Sequence, residues 1–228
     1  MTIEQLPLLE QLMLVLSALV LFTSFVLLEQ SRLTAALHAF AWQGGLTSAV
    51  TAIVALTNDF THLYFSAFLT FMLKALLIPW MLHRMVIRLS LERQREPLQY
   101  PVIINLLAVF LVIFSYWLVL PLVQQDLIFT RNIVAVSLAI VLIGFLLMVV
   151  RRQAVVQVLG FMSMENGLFL AAVSATSGMP LVVELGIAFD VLVAVVLFGV
   201  FFFQIRESID SLNVDRMNQL RERADSEL

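Results

Sequence analysis

The 228-residue chain contains no cysteine, a single lysine (Lys74), three histidines and only 13% charged residues. Without cysteine there are no disulfides, no thiolate zinc sites and no cysteine ligands for an iron–sulfur cluster or a nickel centre, so any redox metal belongs to a partner chain. Three scattered histidines do not make a haem or copper site. A phosphate loop, a zinc-helix motif, a dinucleotide fingerprint and a Ser/His/Asp arrangement are all missing. The net charge of −3 is small and spread over loops, which leaves no footprint for nucleic acid. The chain is expected to hold no metal and no cofactor of its own.

What fills the chain instead is apolar: 61% of residues are hydrophobic and the mean hydropathy is +1.00, far above soluble domains. This composition predicts an all-α polytopic membrane protein embedded in the lipid bilayer. Long apolar runs predict seven transmembrane helices near residues 6–28, 33–57, 63–87, 101–123, 132–150, 153–175 and 181–205. Acidic Glu4 and Glu10 flank the start of the first run where a secretory signal would be basic, so that run is expected as a retained helix. The whole chain, 1–228, is expected to form one membrane domain. Its one long polar connection, Arg88 to Pro97, separates a three-helix front half (1–96) from a four-helix back half (97–228).

Arginine placement predicts orientation, because short cytoplasmic loops collect basic residues. Arg32, then Arg84, Arg88, Arg93 and Arg95, then Arg151 and Arg152, then Arg206, Arg216, Arg221 and Arg223 fall on one side of the expected seven-span topology. Arg131 falls on the other. The N-terminus is therefore expected outside and the C-terminus in the cytoplasm. The polar tail after Arg206, with Ile209, Leu212, Met217 and Leu220 as its apolar residues, suits either a solvated end or a segment docked on the membrane or a soluble partner.

Charged residues inside the apolar runs are the first candidates for function, since a carboxylate at mid-membrane depth costs roughly 2.5–3.5 kcal/mol on insertion scales. At 1.5 Å per residue, Lys74 lies about 16 Å in from the outer surface, Asp190 about 14 Å in from the same side, and Glu165 about 18 Å in from the cytoplasmic side. All three fall near the midplane of a core about 30 Å thick. Lysine and carboxylates at one depth suit a proton relay. A static ion pair between helices is the plainer alternative, but two anions against one cation leave a carboxylate in surplus.

Glu184, one turn inside the seventh helix, reads either as an exit group for protons or as a charge capping the helix N-terminus. His83, at the inner end of the third helix, is the histidine best placed to pass protons toward Lys74, with an interfacial role as its alternative; His38 and His62 read as interfacial. Pro79 predicts a kink beside Lys74. Gly160 and Gly167 share one helix face and, with Gly186, predict close helix packing; Asn166, Gln43 and Gln157 read as interhelical hydrogen-bonding groups.

The runs Phe161-Met-Ser-Met-Glu165-Asn166-Gly167 and Glu184-Leu-Gly-Ile-Ala-Phe-Asp190 resemble those of the hydrogenase-4 component E family, membrane subunits of formate hydrogenlyase-type complexes. Lys74 with Leu77-Ile78-Pro79, and Leu212-Asn213-Val214, fit the same family. Residues 132–228 further resemble the K subunit of respiratory complex I and the C subunit of multisubunit cation/proton antiporters, through Arg151-Arg152, Gly160, Glu165, Asp190 and Leu212-Asn213-Val214-Asp215. In that pattern Glu165 is displaced by about one helical turn, and Asp190 replaces a glutamate.

The resemblance implies a noncatalytic subunit of an energy-converting oxidoreductase complex in the cytoplasmic (inner) membrane. Its neighbours would be antiporter-like and hydrogenase membrane-anchor subunits, with soluble nickel–iron and iron–sulfur subunits reached indirectly. Glu165, Asp190 and Lys74 would carry part of a transmembrane proton path. The alternatives are a structural adaptor between the antiporter-like and hydrogenase modules, and a subunit of a cation/proton antiporter.

Overall fold

The computed structural model describes residues 8–58, 61–88, 98–121, 128–175, 186, 188–196 and 199. They are helical apart from short turns, as a bilayer demands, because a helix satisfies its own backbone hydrogen bonds where no water is present. The helices are α1 (Leu8–Glu29), α2 (Leu33–Asn58), α3 (Thr61–Thr70), α4 (Ile78–Arg88), α5 (Pro101–Val119), α6 (Ile128–Val150) and α7 (Ala154–Ala175). A π-helical segment, Phe71–Leu77, joins α3 to α4 into one continuous span. Six spans among the described residues are long and apolar enough to cross a bilayer, and the protein is an all-α polytopic membrane protein. Of the expected seventh helix, the described residues 186, 188–196 and 199 are helical.

The third span departs from a simple kink. Pro79 has no N–H to donate, and its ring crowds the preceding turn, so the backbone upstream widens to i→i−5 bonding, with the Ile78 N–H on the Leu73 carbonyl. Lys74 lies inside this widened turn, and the helix continues beyond it.

Two short turns fix the neighbouring hairpins. Arg151, in the α6–α7 turn, is buried, and its Nη2 donates to the carbonyls of Leu28 (2.8 Å) and Gln30 (2.6 Å) at the end of α1. An arginine read from sequence as an orientation signal and as part of a family resemblance thus also satisfies carbonyls at the end of α1 that have no intrahelical partner. Gln157 donates to the Arg151 carbonyl at 2.9 Å and closes the same turn.

α6 and α7 approach backbone to backbone. A Cβ on Gly144 would lie 2.7 Å from the Met164 nitrogen, one on Gly160 3.0 Å from the Gly144 oxygen, and one on Gly167 2.8 Å from the Ser137 oxygen. Only glycine fits such contacts, so Gly160 and Gly167 face α6, and Gly144 completes the seam from the other side.

α5 is peripheral, burying only Ala108, Ser115 and Val119 and exposing the ladder Phe110, Phe114 and Trp117. The interior divides into two apolar clusters. One gathers around Leu28, Phe40, Ile78, Leu147 and Leu159, the other around Val20, Val54, Ile140 and Leu170. Between them along the helices lies a polar layer.

Candidate functional site

Three helical segments bring Lys74, Glu165 and Asp190 into contact near the middle of the bundle. The Lys74 ammonium pairs with Glu165 Oε2, lies 3.3 Å from Asp190 Oδ1, and donates to Asn166 Oδ1 at 2.9 Å. Lys74 and Asn166 are fully buried; Asp190 is 1% exposed and Glu165 8%. The ammonium thus hydrogen-bonds two oxygens, Glu165 Oε2 and Asn166 Oδ1, and faces Asp190 Oδ1 as an ion pair in which that buried oxygen accepts no hydrogen bond. The Phe169 ring, with its centroid 5.3 Å from Nζ, adds a π face to the same cation.

Lys74 reaches this position because α2 lets its backbone in. A Cβ on Gly44 would stand 2.8 Å from Lys74 Cβ and 3.1 Å from its carbonyl carbon, whereas one on neighbouring Gly45 would only touch Phe71 at 3.9 Å. Gly44 is thus a hidden component of the site, and the π segment is the surface it contacts.

The cluster continues sideways through two amides. Asn166 presents its oxygen to Lys74 and its Nδ2 to Gln43 Oε1 at 3.3 Å. Gln43 Nε2 then donates to Ser24 Oγ at 2.7 Å and Ser163 Oγ at 2.9 Å. Ser24 returns its proton to the Val20 carbonyl at 3.0 Å. Lys74, Asn166, Gln43 and the two serines form one hydrogen-bonded line linking the third span, α7, α2 and α1. Buried hydroxyls of Thr47 and Thr51 follow along α2, each bonded to the carbonyl four residues earlier, and Ser17 and Ser137 do the same on α1 and α6.

Among the described residues, the expected histidine His83 lies apart from the cluster. His83 lines a groove of about 240 Å³ together with His38, Ala75, Pro79 and Trp80. It stands nine positions beyond Lys74, about 13 Å along the helix. His38 bonds its own helix through Nδ1 and the Thr34 carbonyl, 2.6 Å away. Gly186 packs on Phe169: a Cβ there would lie 2.8 Å from the ring and 3.7 Å from Glu165 Oε1. Glu184 and the tail from Arg206 lie outside the described residues. No group of three His, Cys, Asp or Glu side chains suited to a metal occurs among the described residues.

Ser24, Ser163 and Gly44 are the members that sequence reasoning missed. A serine in an apolar helix usually bonds its own backbone, and nothing in its neighbours along the chain reveals a glutamine on another helix.

Chemically, the cluster offers two carboxylates to one ammonium between two apolar plugs. A proton added to either carboxylate would remove one of the two negative charges that face Lys74.

No protein-family model matches the chain, and no solved structure does. Over 200 residues it is 30% identical to "Uncharacterized protein Rv0085" of Mycobacterium tuberculosis, a match covering 87% of this chain and 91% of that protein. Over 156 residues it is 28% identical to hydrogenase-4 component E of Escherichia coli and of Shigella flexneri, covering 68% of this chain and 71% of each of theirs.

Proposed function

The chain belongs to the same family as Uncharacterized protein Rv0085 of Mycobacterium tuberculosis, and on that premise, joined to its more distant likeness to hydrogenase-4 component E, we propose that it is a noncatalytic membrane subunit of a hydrogenase-type energy-converting complex. It works in the cytoplasmic membrane, N-terminus outside, as a single membrane domain beside antiporter-like and membrane-anchor subunits. Nickel–iron and iron–sulfur chemistry belongs to soluble partners. Glu165, Asp190 and Lys74 carry part of a transmembrane proton path, with Glu184 and His83 as its outer and inner access groups.

The observation that supports this reading is the buried cluster itself. Two carboxylates share one ammonium at mid-helix depth, where a purely structural pair would need only one. Glu165→Gln and Asp190→Asn keep shape and hydrogen-bonding capacity, so the complex should assemble while proton pumping in reconstituted vesicles falls. Normal pumping by an assembled double variant ends the relay reading.

A structural adaptor is the second reading, and the burial of Lys74 in ion pairs that tie its span to α7 and to the stretch around Asp190 favours it. Under it, neutralising one carboxylate weakens the hold on a buried ammonium, a loss of about 3–5 kcal/mol when a buried pair is broken, and assembly fails. The variant joining Lys74→Met to Asp190→Asn then restores assembly; under the relay reading it restores no pumping.

A further inference from the structure

Beside the ion cluster, α7 and the helical stretch around Gly186 and Phe189 leave a cleft of about 270 Å³. Phe161, Leu168, Phe169 and Phe189 line it, and among the described lining residues Glu165 is the one ionisable group. Leu168, at 54% exposed, opens the rim toward the lipid, and Phe161 and Phe189 meet along one wall with ring centroids 5.4 Å apart and planes tilted by 58°. At its inner end Gly186 packs directly on Phe169, where a Cβ would stand 2.8 Å from the ring and 3.7 Å from Glu165 Oε1, so any larger residue there would push the ring across the carboxylate. Lys74 occupies the other oxygen, Oε2.

The geometry points to a binding site for a compact lipophilic amine that enters from the bilayer, seats its apolar body among the phenylalanines and sets its ammonium on Glu165 Oε1. Charge supports this occupant. Among the described residues the cluster sets Glu165 and Asp190 against Lys74 alone, so a second cation finds a carboxylate in surplus, and Phe169, already beside Lys74, offers it a second π face. A neutral apolar molecule would gain the same walls but leave the oxygen unused. The site rests on the shape of the cleft and not on proton transfer, so it stands or falls whether or not Glu165→Gln stops pumping.

The test treats membranes containing the full chain with dicyclohexylcarbodiimide, which adds to carboxyl groups in apolar surroundings, and counts the adduct at each carboxylate by mass spectrometry. Glu165 should be labelled, 1-adamantanamine should slow that labelling about ten-fold, and the neutral 1-adamantanol should leave it unchanged, since a hydrogen bond to a charged group is worth about one decade or more. Gly186→Ala, which crowds Phe169, should reduce labelling and protection together. Phe189→Ala, which removes one apolar wall, should weaken protection by the amine and keeps the test decisive if the Gly186 variant misfolds, while Trp117→Ala, exposed on α5 and outside the lining, should preserve both labelling and protection. Equal protection by amine and alcohol, or protection by neither, overturns the site. So does a Glu165 that is labelled in the purified chain but silent in membranes, because a neighbouring subunit then fills the cleft.

Discussion

Gln43 shows how much of the site is held by residues that never touch a charge. Its amide turns both ends to use: the NH₂ is taken by Ser24 and Ser163, so its oxygen must face Asn166, whose own oxygen then faces Lys74. Gln43→Leu fills similar space but strands the Asn166 NH₂ and removes the donor to both serines. A buried polar group left unsatisfied costs about 1–3 kcal/mol, so this variant should lower the thermal midpoint in detergent more than Ser24→Ala, which removes one of the two acceptors. Equal midpoints for the two variants would contradict the line as drawn. Lys74, Glu165 and Asp190 were legible from sequence as charges at one depth, because depth is counted along a helix. Ser24, Ser163 and Gly44 were not, because facing is set by helix rotation, which an almost uniformly apolar helix conceals.

At the scale of the helix, the span positions followed from apolar length alone. Packing did not. Gly160 and Gly167 could be placed on a common face, but their partner Gly144 emerges only when α6 lies against α7. Gly144→Leu drives a side chain into the Met164 nitrogen and the Gly160 oxygen, both backbone atoms that cannot swing aside. Overpacking of this kind costs about 1–3 kcal/mol, and the midpoint should fall accordingly. Gly199→Leu, where a Cβ meets nothing within 4 Å, should leave it unchanged and serves as the control. Pro79 likewise marked where the third span is irregular. The form of the irregularity, a widened turn carrying Lys74, depends on how the helix recovers its hydrogen bonds upstream of the proline, which composition does not specify.

For the whole molecule, the layered interior confines polarity to one level, with apolar clusters on both sides of it. Arginine placement at the turns predicts the orientation across the bilayer. A reporter active only outside the cytoplasm should be silent when fused after Leu228 and active when fused at Met179; the reverse pattern would invert the topology. The buried cation also gives the protein an unusual chemical address. Lys74 is the only lysine in the chain and is fully buried, so the folded protein displays no lysine amine to water. An amine-reactive ester should leave Lys74 unmodified until the chain is denatured. For the same reason, feeding cells with side-chain ¹⁵N-lysine should yield one side-chain nitrogen resonance from this subunit, and that resonance will come from the centre of its charged cluster.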